Sequence, residues 1–343
     1  MHVLVTGGTG FIGLHTARAL MAAGHQVRLL VRDKDKLRRL YGSDITDYVL
    51  GDVTDPNAVA KALAGCDAVV HTAAMVSVDQ KDAELVMATN LGGTKLVVGG
   101  AAERGCRCIV HVSSVTALYD PKARFLNEYS PPGSANNPYA SSKVACETFV
   151  RDLQEAGKPV HITYPASVIG PDDPGFTAPH QGLRSYLGSA APVLPSGNQW
   201  VDVRDIAAAH LALLDRELPP GRYPLGGHFL SWGELVDTLS EITGRRIQKV
   251  QVPGGVMLGL GRLVDWFSRV RGRALDIPVT HEAMVYATNW VRMDNSKAVA
   301  ELGISFRPVA DSLSDAIRYL AEEGLIAAAQ AGRLYQEVPG LER

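Results

Sequence analysis

The sequence predicts an α/β protein built on a doubly wound parallel sheet, with a smaller, mostly helical C-terminal region. Three observations predict it. Short β-branched runs alternate with longer amphipathic stretches through the first half, and a glycine-rich turn joins the first run to the first amphipathic stretch. After residue 170 the texture turns to Pro, Gly and Ser, and the last third is helical in pattern.

Strands are expected over His2–Thr6, Val27–Val31, Tyr48–Leu50, Ala68–Thr72, Cys108–Ser113 and Val160–Tyr164, each too short and too apolar to be an exposed helix. Helices are expected between them, over Gly13–Ala23, Asn57–Ala64, Ala83–Arg104 and Tyr139–Ala156. Such alternation buries a parallel sheet under helices on both faces and gathers ligands at the carboxyl ends of its strands. Residues 171–199 read as a long functional loop or the start of an insert. A helix over Val203–Glu217 ends before Pro219, Pro220 and Gly221, and further helices are expected over Trp232–Thr243, Val256–Val270, Thr280–Ala287, Ser296–Leu302 and Ser312–Gln330.

Composition narrows the partners. With 34 Lys and Arg against 36 Asp and Glu in 343 residues there is no basic excess to follow a phosphate backbone, so nucleic acid is not an expected partner. A hydrophobic share of 46% with 20% charged residues is that of a soluble folded chain. Four cysteines, of which Cys106 and Cys108 alone lie close together, form neither a disulfide framework nor a zinc-ligand pattern, so reduced thiols in the cytoplasm are expected and no metal. A strand begins at once at His2, leaving no room for a signal peptide, and no apolar run reaches the roughly 18 residues of a spanning helix. Hydrolase-elbow, triphosphate-loop and zinc-protease motifs are all missing.

The glycine turn runs Thr6-Gly7-Gly8-Thr9-Gly10-Phe11-Ile12-Gly13. Gly7 permits a tight turn, Gly10 lets backbone approach a pyrophosphate, and Gly13 allows close packing of helix on strand. Backbone N–H groups at the helix start, including those around Thr9, Phe11 and Ile12, then face the anion. The spacing is one residue longer than the usual dinucleotide fingerprint.

Further pieces follow in order: Gly51-Asp52-Val53, His71-Thr72-Ala73-Ala74, Asn90 with Gly93-Thr94, Tyr139-Ala140-Ser141-Ser142-Lys143, Tyr164-Pro165-Ala166-Ser167-Val168-Ile169-Gly170-Pro171 and Val201-Asp202-Val203-Arg204-Asp205-Ile206-Ala207. With the glycine turn, this series resembles the extended short-chain dehydrogenase/reductase family over nearly the whole chain. The resemblance implies a Rossmann dinucleotide-binding domain from 1–170 and 198–225, and a substrate-binding region from 171–197 and 226–343. It implies that Asp52 and Val53 lie beside the adenine, that Thr72, Ala73 and Ala74 line the cofactor, and that Asn90, on a helix buttressing the sheet, also contacts the cofactor. Ser113 would touch the cofactor through its backbone, and Tyr164, Ala166, Ser167 and Val168 would contact it on the passage into the substrate loop. Asp202 and Asp205 are expected to be structural. A homodimer through the helices near 83–104 and 139–156 also accords with the family.

The second strand ends at Val31-Arg32-Asp33. An acidic strand-end residue would take both ribose hydroxyls of NAD, whereas a guanidinium binds the added phosphate of NADP. NADP is therefore expected, with Arg32 on the phosphate and Lys36 or Arg39 assisting, while Asp33 leaves NAD open.

Tyr139 and Lys143 are four apart and share a helix face, so an ammonium stands beside the phenol that would pass a proton to or from a carbinol oxygen. On the family pattern Lys143 also bonds the nicotinamide ribose, and Ser114 orients the substrate oxygen. Dehydratase members carry an Asp-Glu pair after the catalytic Ser or Thr; here Val115-Thr116 stands there. Two chemistries remain: a reductase of a ketone or aldehyde (or the reverse dehydrogenase), resembling the dihydroflavonol reductase and 3β-hydroxysteroid dehydrogenase branch, and a sugar epimerase. A non-catalytic dinucleotide sensor is the third reading, and the presence of Tyr139 and Lys143 argues against it. The apolar positions of Val256–Val270 read as a helix packing on its own domain, a wall of an apolar pocket, or a surface resting on lipid. A hydrophobic carbonyl substrate is the expectation.

Overall fold

In the computed structural model, residues 1–134, 137–271 and 281–337 are described. Thr280 and the last residues of the chain, both within expected elements or regions, lie outside them. Two compact units are present: Met1–Ala166 with Val203–Gly226 and Met293–Ser305, and Ser167–Asp202 with Gly227–Arg292 and Phe306–Arg343.

The strands, in chain order, are β1 (His2–Thr6), β2 (Gln26–Val31), β3 (Tyr48–Leu50), β4 (Ala68–His71), β5 (Cys108–Val112), β6 (Val160–Pro165), β7 (Ser167–Ile169), β8 (Ala190–Val193), β9 (Gly197–Asp202), β10 (Arg222–Leu225), β11 (His228–Ser231) and β12 (Gln248–Gln251). The helices are α1 (Phe11–Ala22), α2 (Lys34–Tyr41), α3 (Pro56–Leu63), α4 (Ala83–Met87), α5 (Gly100–Glu103), α6 (Pro138–Glu155), α7 (Ala178–Tyr186), α8 (Val203–Asp215), α9 (Trp232–Thr243), α10 (Gly254–Arg271), α11 (His281–Thr288), α12 (Ser296–Leu302), α13 (Val309–Glu322) and α14 (Ala328–Ala331). Two π-helical turns, Ala88–Gly92 and Lys95–Gly99, carry α4 into α5.

The first unit is a seven-stranded sheet in the order β10-β6-β5-β4-β1-β2-β3, parallel at every pairing. The residues of β4, β5 and β6 are all buried, which is why β4 and β5 read as mainly apolar runs, while β6 buries His161 and Thr163 among its apolar residues. α1 packs with α8, while α6 packs with α4 and α3 with α5. A buried His210 on α8 bonds Thr16 on α1 (2.9 Å) and Thr163 on β6 (3.2 Å), tying that helix pair to the sheet. β2 leaves β1 to one side and β4 stands on the other, so the winding reverses at the carboxyl end of β1.

The second unit holds a three-stranded sheet β11-β9-β7, a parallel pair β12-β8, and helices around an apolar core that includes Leu183, Trp200, Leu235, Leu239 and Ile317. The expected long loop at 171–199 is corrected here, because α7, β8 and the start of β9 occupy it. β9 escaped detection because its buried positions include polar Asn198 and Gln199, which break the apolar pattern of a buried strand. The expected helix Ser312–Gln330 is two helices, α13 and α14, with the chain turning at Gly324 (φ +65°) between them. Met293–Ser305, expected in the substrate-binding region, belongs to the first unit through Asn295 on Gly226 N (2.6 Å) and Glu301 on the Tyr223 hydroxyl (2.9 Å).

Candidate active site

The glycine turn closes at the reversal point. Gly7 stands at φ +73°, and a Cβ there would lie 2.5 Å from Thr72 Oγ1. A Cβ on Gly13 would lie 2.2 Å from the Gly7 carbonyl oxygen. Side chains at either position would push α1 off the strand ends, so the turn exists in this form because both are glycine. The Thr72 hydroxyl donates to Thr6 O (2.8 Å), and Gly10 N to Gly7 O (2.8 Å). Gly10 is also the N-cap of α1 and brings no side chain to close the helix start. Around it Thr9 and Ile12 are half-buried and Phe11 is buried. A helix N-terminus left open between glycines, where a Cβ at Gly10 would crowd Gly7 O at 3.2 Å, fits a diphosphate. Sequence reasoning missed Tyr41, whose buried hydroxyl donates to Gly8 O (2.5 Å) and braces the turn from α2; the signal was its spacing of four from buried Leu37.

At the end of β2, Val31 is buried and Arg32 is 78% exposed, its guanidinium 3.6 Å from Asp52. Asp33 is committed elsewhere: it caps α2, accepting from Asp35 N (2.8 Å) and Lys36 N (2.9 Å). The Lys36 and Asp35 backbone bonds hold its carboxyl below the usual carboxylate range. Lys36 itself is half-buried. Asp52 accepts from Thr54 N and Oγ1 (3.0 and 2.8 Å), while Val53 is buried.

The reactive groups come from β5 and α6. Asn137 caps α6 through Ala140 N (2.9 Å) and Pro138 occupies the first turn, so the helix begins one residue before Tyr139. Lys143, one turn on, is buried, and its ammonium donates to Val112 O (3.2 Å) at the very end of β5. That ammonium lies 5.8 Å from the centre of the Tyr139 ring, which is half-exposed. Ser114, just past β5, caps the 3-10 turn Val115–Ala117: its hydroxyl accepts from Thr116 N (3.2 Å) and donates to Thr116 Oγ1 (3.1 Å). α6 packs on this turn, so Ser114, Tyr139 and Lys143 gather at one strand end. Behind them, His71 on β4 stacks on His111 on β5 with ring centres 5.7 Å apart. Burial, then the Lys143 charge, push the His71 imidazole down to about 3 and move His111 the same way, so neither competes as a base.

The side chains of three residues expected near the cofactor are bonded within the protein. The side chain of Ser113 points to Glu147 (3.2 Å) and its N–H is held by Thr163 O (2.9 Å). Tyr164 is fully buried and donates to the other Glu147 oxygen (2.6 Å); burial, then that carboxylate, raise its phenol well above the usual value. Asn90, in the first π-helical turn, spends its amide on Met75 N (2.7 Å), Met75 O (3.0 Å) and Ser142 Oγ (2.8 Å). It therefore fastens the segment after β4 to α6. Glu147 itself was missed: it is fully buried and also pairs with Arg151 (2.6 Å), which reaches Ser130 O (2.9 Å). The signal was present, since Tyr139, Lys143, Glu147 and Arg151 repeat every fourth residue along one helix stripe. Ala73 is half-buried and Ala74 exposed after β4, Ala166 bonds Leu225 O (3.2 Å), and Ser167 and Val168 stand on β7 in the second unit.

The model of the NAD dependent epimerase/dehydratase family matches residues 3–226. A putative dihydroflavonol 4-reductase of Synechocystis sp. is 31% identical, covering 94% of this chain and 95% of its own. Cinnamoyl-CoA reductase 1 of Petunia hybrida is 32% identical over 70% of this chain and 76% of its own. Among solved structures, a dTDP-glucose 4,6-dehydratase from Streptomyces venezuelae with NAD bound superposes with a TM-score of 0.73 at 25% identity, over 95% of this chain and 99% of that one.

Proposed function

Because the chain belongs to the NAD-dependent epimerase/dehydratase family, and so to the NAD(P)-dependent oxidoreductases of short-chain dehydrogenase/reductase type, we propose that it reduces an apolar ketone or aldehyde to the alcohol with NADPH. The observation that carries the reading is the Lys143 ammonium, fixed by the last carbonyl of β5 and set beside the Tyr139 ring, with the Ser114 hydroxyl at the same strand end.

The residues that would hold the dinucleotide are Gly7, Thr9, Gly10, Ile12 and Gly13 at its diphosphate, Arg32 and Asp52 towards its adenosine, and Thr72, Ala73 and Lys143 towards its nicotinamide end. When bound, the reduced nicotinamide supplies the hydride. Tyr139 donates the proton to the oxygen that becomes the alcohol, and Ser114 holds that oxygen by a hydrogen bond. Lys143 and the N-terminal end of α6 put positive charge beside the phenol as its proton leaves. Thr116 and the buried Val115 follow Ser114, so no carboxyl stands there to expel a hydroxyl, and dehydration is disfavoured. The relatives named for a dihydroflavonol and a cinnamoyl thioester favour an aryl or otherwise apolar carbonyl compound.

NADP is favoured over NAD because Arg32 is exposed while Asp33, the acidic alternative, is spent on a helix cap. Arg32→Ala is expected to weaken NADP binding about 10- to 100-fold at low salt and to leave NAD within about twofold. Titrating both cofactors by fluorescence checks this, and an unchanged preference removes Arg32 from the role. Ser114→Ala is expected to lower turnover about 100-fold with NADPH affinity unchanged. The reading as a whole is tested by loss of NADPH absorbance against aldehydes, flavonoid-like ketones and steroids. Conversion of a nucleotide sugar with no net NADPH change would mark an epimerase instead, and tight NADPH binding without turnover a sensor.

A further inference from the structure

α10 is the sequence motif that the proposed reaction leaves unused. One side of it packs inward: Gly261 is buried, and half-buried Met257 rests on the core of the second unit, with α11 alongside. The other side faces solvent. Val256, Leu260, Leu263 and Phe267 recur at the intervals of a single helix face, Trp266 adjoins them with its ring against Phe267 (4.9 Å between centres), and these five side chains are 42 to 59% exposed.

The charged residues of α10 are mainly basic. Its single acid, Asp265, lies on the half-buried side with Leu258. Arg262 is exposed beside the apolar stripe, and Arg269 and Arg271 follow in the same helix, so the segment carries an excess of positive charge. Among the described residues no helix is long and apolar enough to cross a membrane. A solvent-facing apolar stripe with an aromatic pair and a cationic edge has the composition of a helix that lies in a bilayer interface with its basic residues at the headgroups.

We propose that the outward face of α10 docks this protein on anionic lipid bilayers. Leu260, Leu263, Trp266 and Phe267 enter the headgroup–acyl boundary and Arg262 pairs with lipid phosphate. An apolar carbonyl compound partitions into the same boundary, so docking would bring the enzyme to its substrate; that delivery role rests on the reductase reading, whereas the docking does not.

The test is flotation of the full-length protein with phosphatidylcholine vesicles with and without phosphatidylglycerol, followed by tryptophan emission, with neither cofactor nor substrate present. Binding to the anionic vesicles with a blue shift is expected, and Trp266→Phe should abolish the shift while retaining most of the binding. The exposed pair Leu263→Ser with Phe267→Ser should lower the partition coefficient at least about tenfold with an unchanged thermal midpoint. Arg262→Gln should lower it about fivefold on anionic vesicles and leave binding to neutral ones unchanged. Wild-type protein that stays unbound with lipid in excess overturns the proposal. So does a Leu263/Phe267 variant that binds like wild type, or one whose main effect is to turn a dimer into a monomer by analytical ultracentrifugation, which would assign the face to a second copy of the chain. Because no turnover is read, failure here leaves the reductase reading standing, and failure of NADPH oxidation leaves the vesicle result standing.

Discussion

Replacing Tyr139 with Phe is expected to lower kcat for carbonyl reduction by about 10²- to 10⁴-fold, the range set by loss of a positioned proton donor. The change removes one hydroxyl from a half-exposed ring, and the ring itself keeps its place above Lys143. Neither the Asn137 cap nor the Lys143–Val112 bond involves that hydroxyl, so the helix start and the ammonium stay as they are. NADPH affinity and thermal midpoint should therefore match wild type, and the whole effect should fall on the chemical step. Single-turnover rates alongside a cofactor titration separate the two. A variant that retains more than about a tenth of wild-type turnover would show that the proton comes from another group and would undo the assignment.

Glu147→Ala carries the largest expected effect on stability, about 3 to 5 kcal/mol, as befits removing one partner of a buried ion pair. Three donors converge on this carboxylate: the Tyr164 phenol (2.6 Å), the Arg151 guanidinium (2.6 Å) and the Ser113 hydroxyl (3.2 Å). Truncation leaves a mostly buried guanidinium without its counter-charge and the Tyr164 hydroxyl without an acceptor, and each orphan adds its own desolvation penalty. Glu147→Gln should destabilise less, since an amide oxygen still accepts from Tyr164. Urea unfolding of the three proteins at equal slope gives the comparison. Equal midpoints for wild type and Glu147→Ala would mean that the network contributes nothing to folding.

The sheet was largely legible because a parallel strand buried on both faces is mainly apolar, and β1, β4 and β5 each carry three or more apolar residues in a row or interrupted by one histidine. The glycine turn and the Tyr139–Lys143 spacing were legible because each depends on local geometry alone. β9 and β11 were not, since they draw their stability from partners distant in sequence and carry polar residues inside or half-inside the fold. The side-chain partners of Ser113, Tyr164 and Asn90 were illegible for one reason. Each side chain binds a residue far along the chain or on another element, and no short motif encodes which way a side chain turns. Glu147 shows the opposite case, a helix-periodic charge whose burial only the packing of α6 on β6 and the bond to Ser113 reveal.

The interleaving of the two units bears on how such a protein can be taken apart. The backbone passes from one to the other after Ala166, Asp202, Gly226, Arg292 and Ser305. A gene truncated at codon 166 would encode β1 to β6 without α8, β10 or α12, stripping the sheet of an edge strand and leaving Thr16 and Thr163 without His210. Recombination cannot therefore lift either half out as a cassette with one crossover, and swapping the second unit for that of a relative demands several matched junctions or a rearranged reading order.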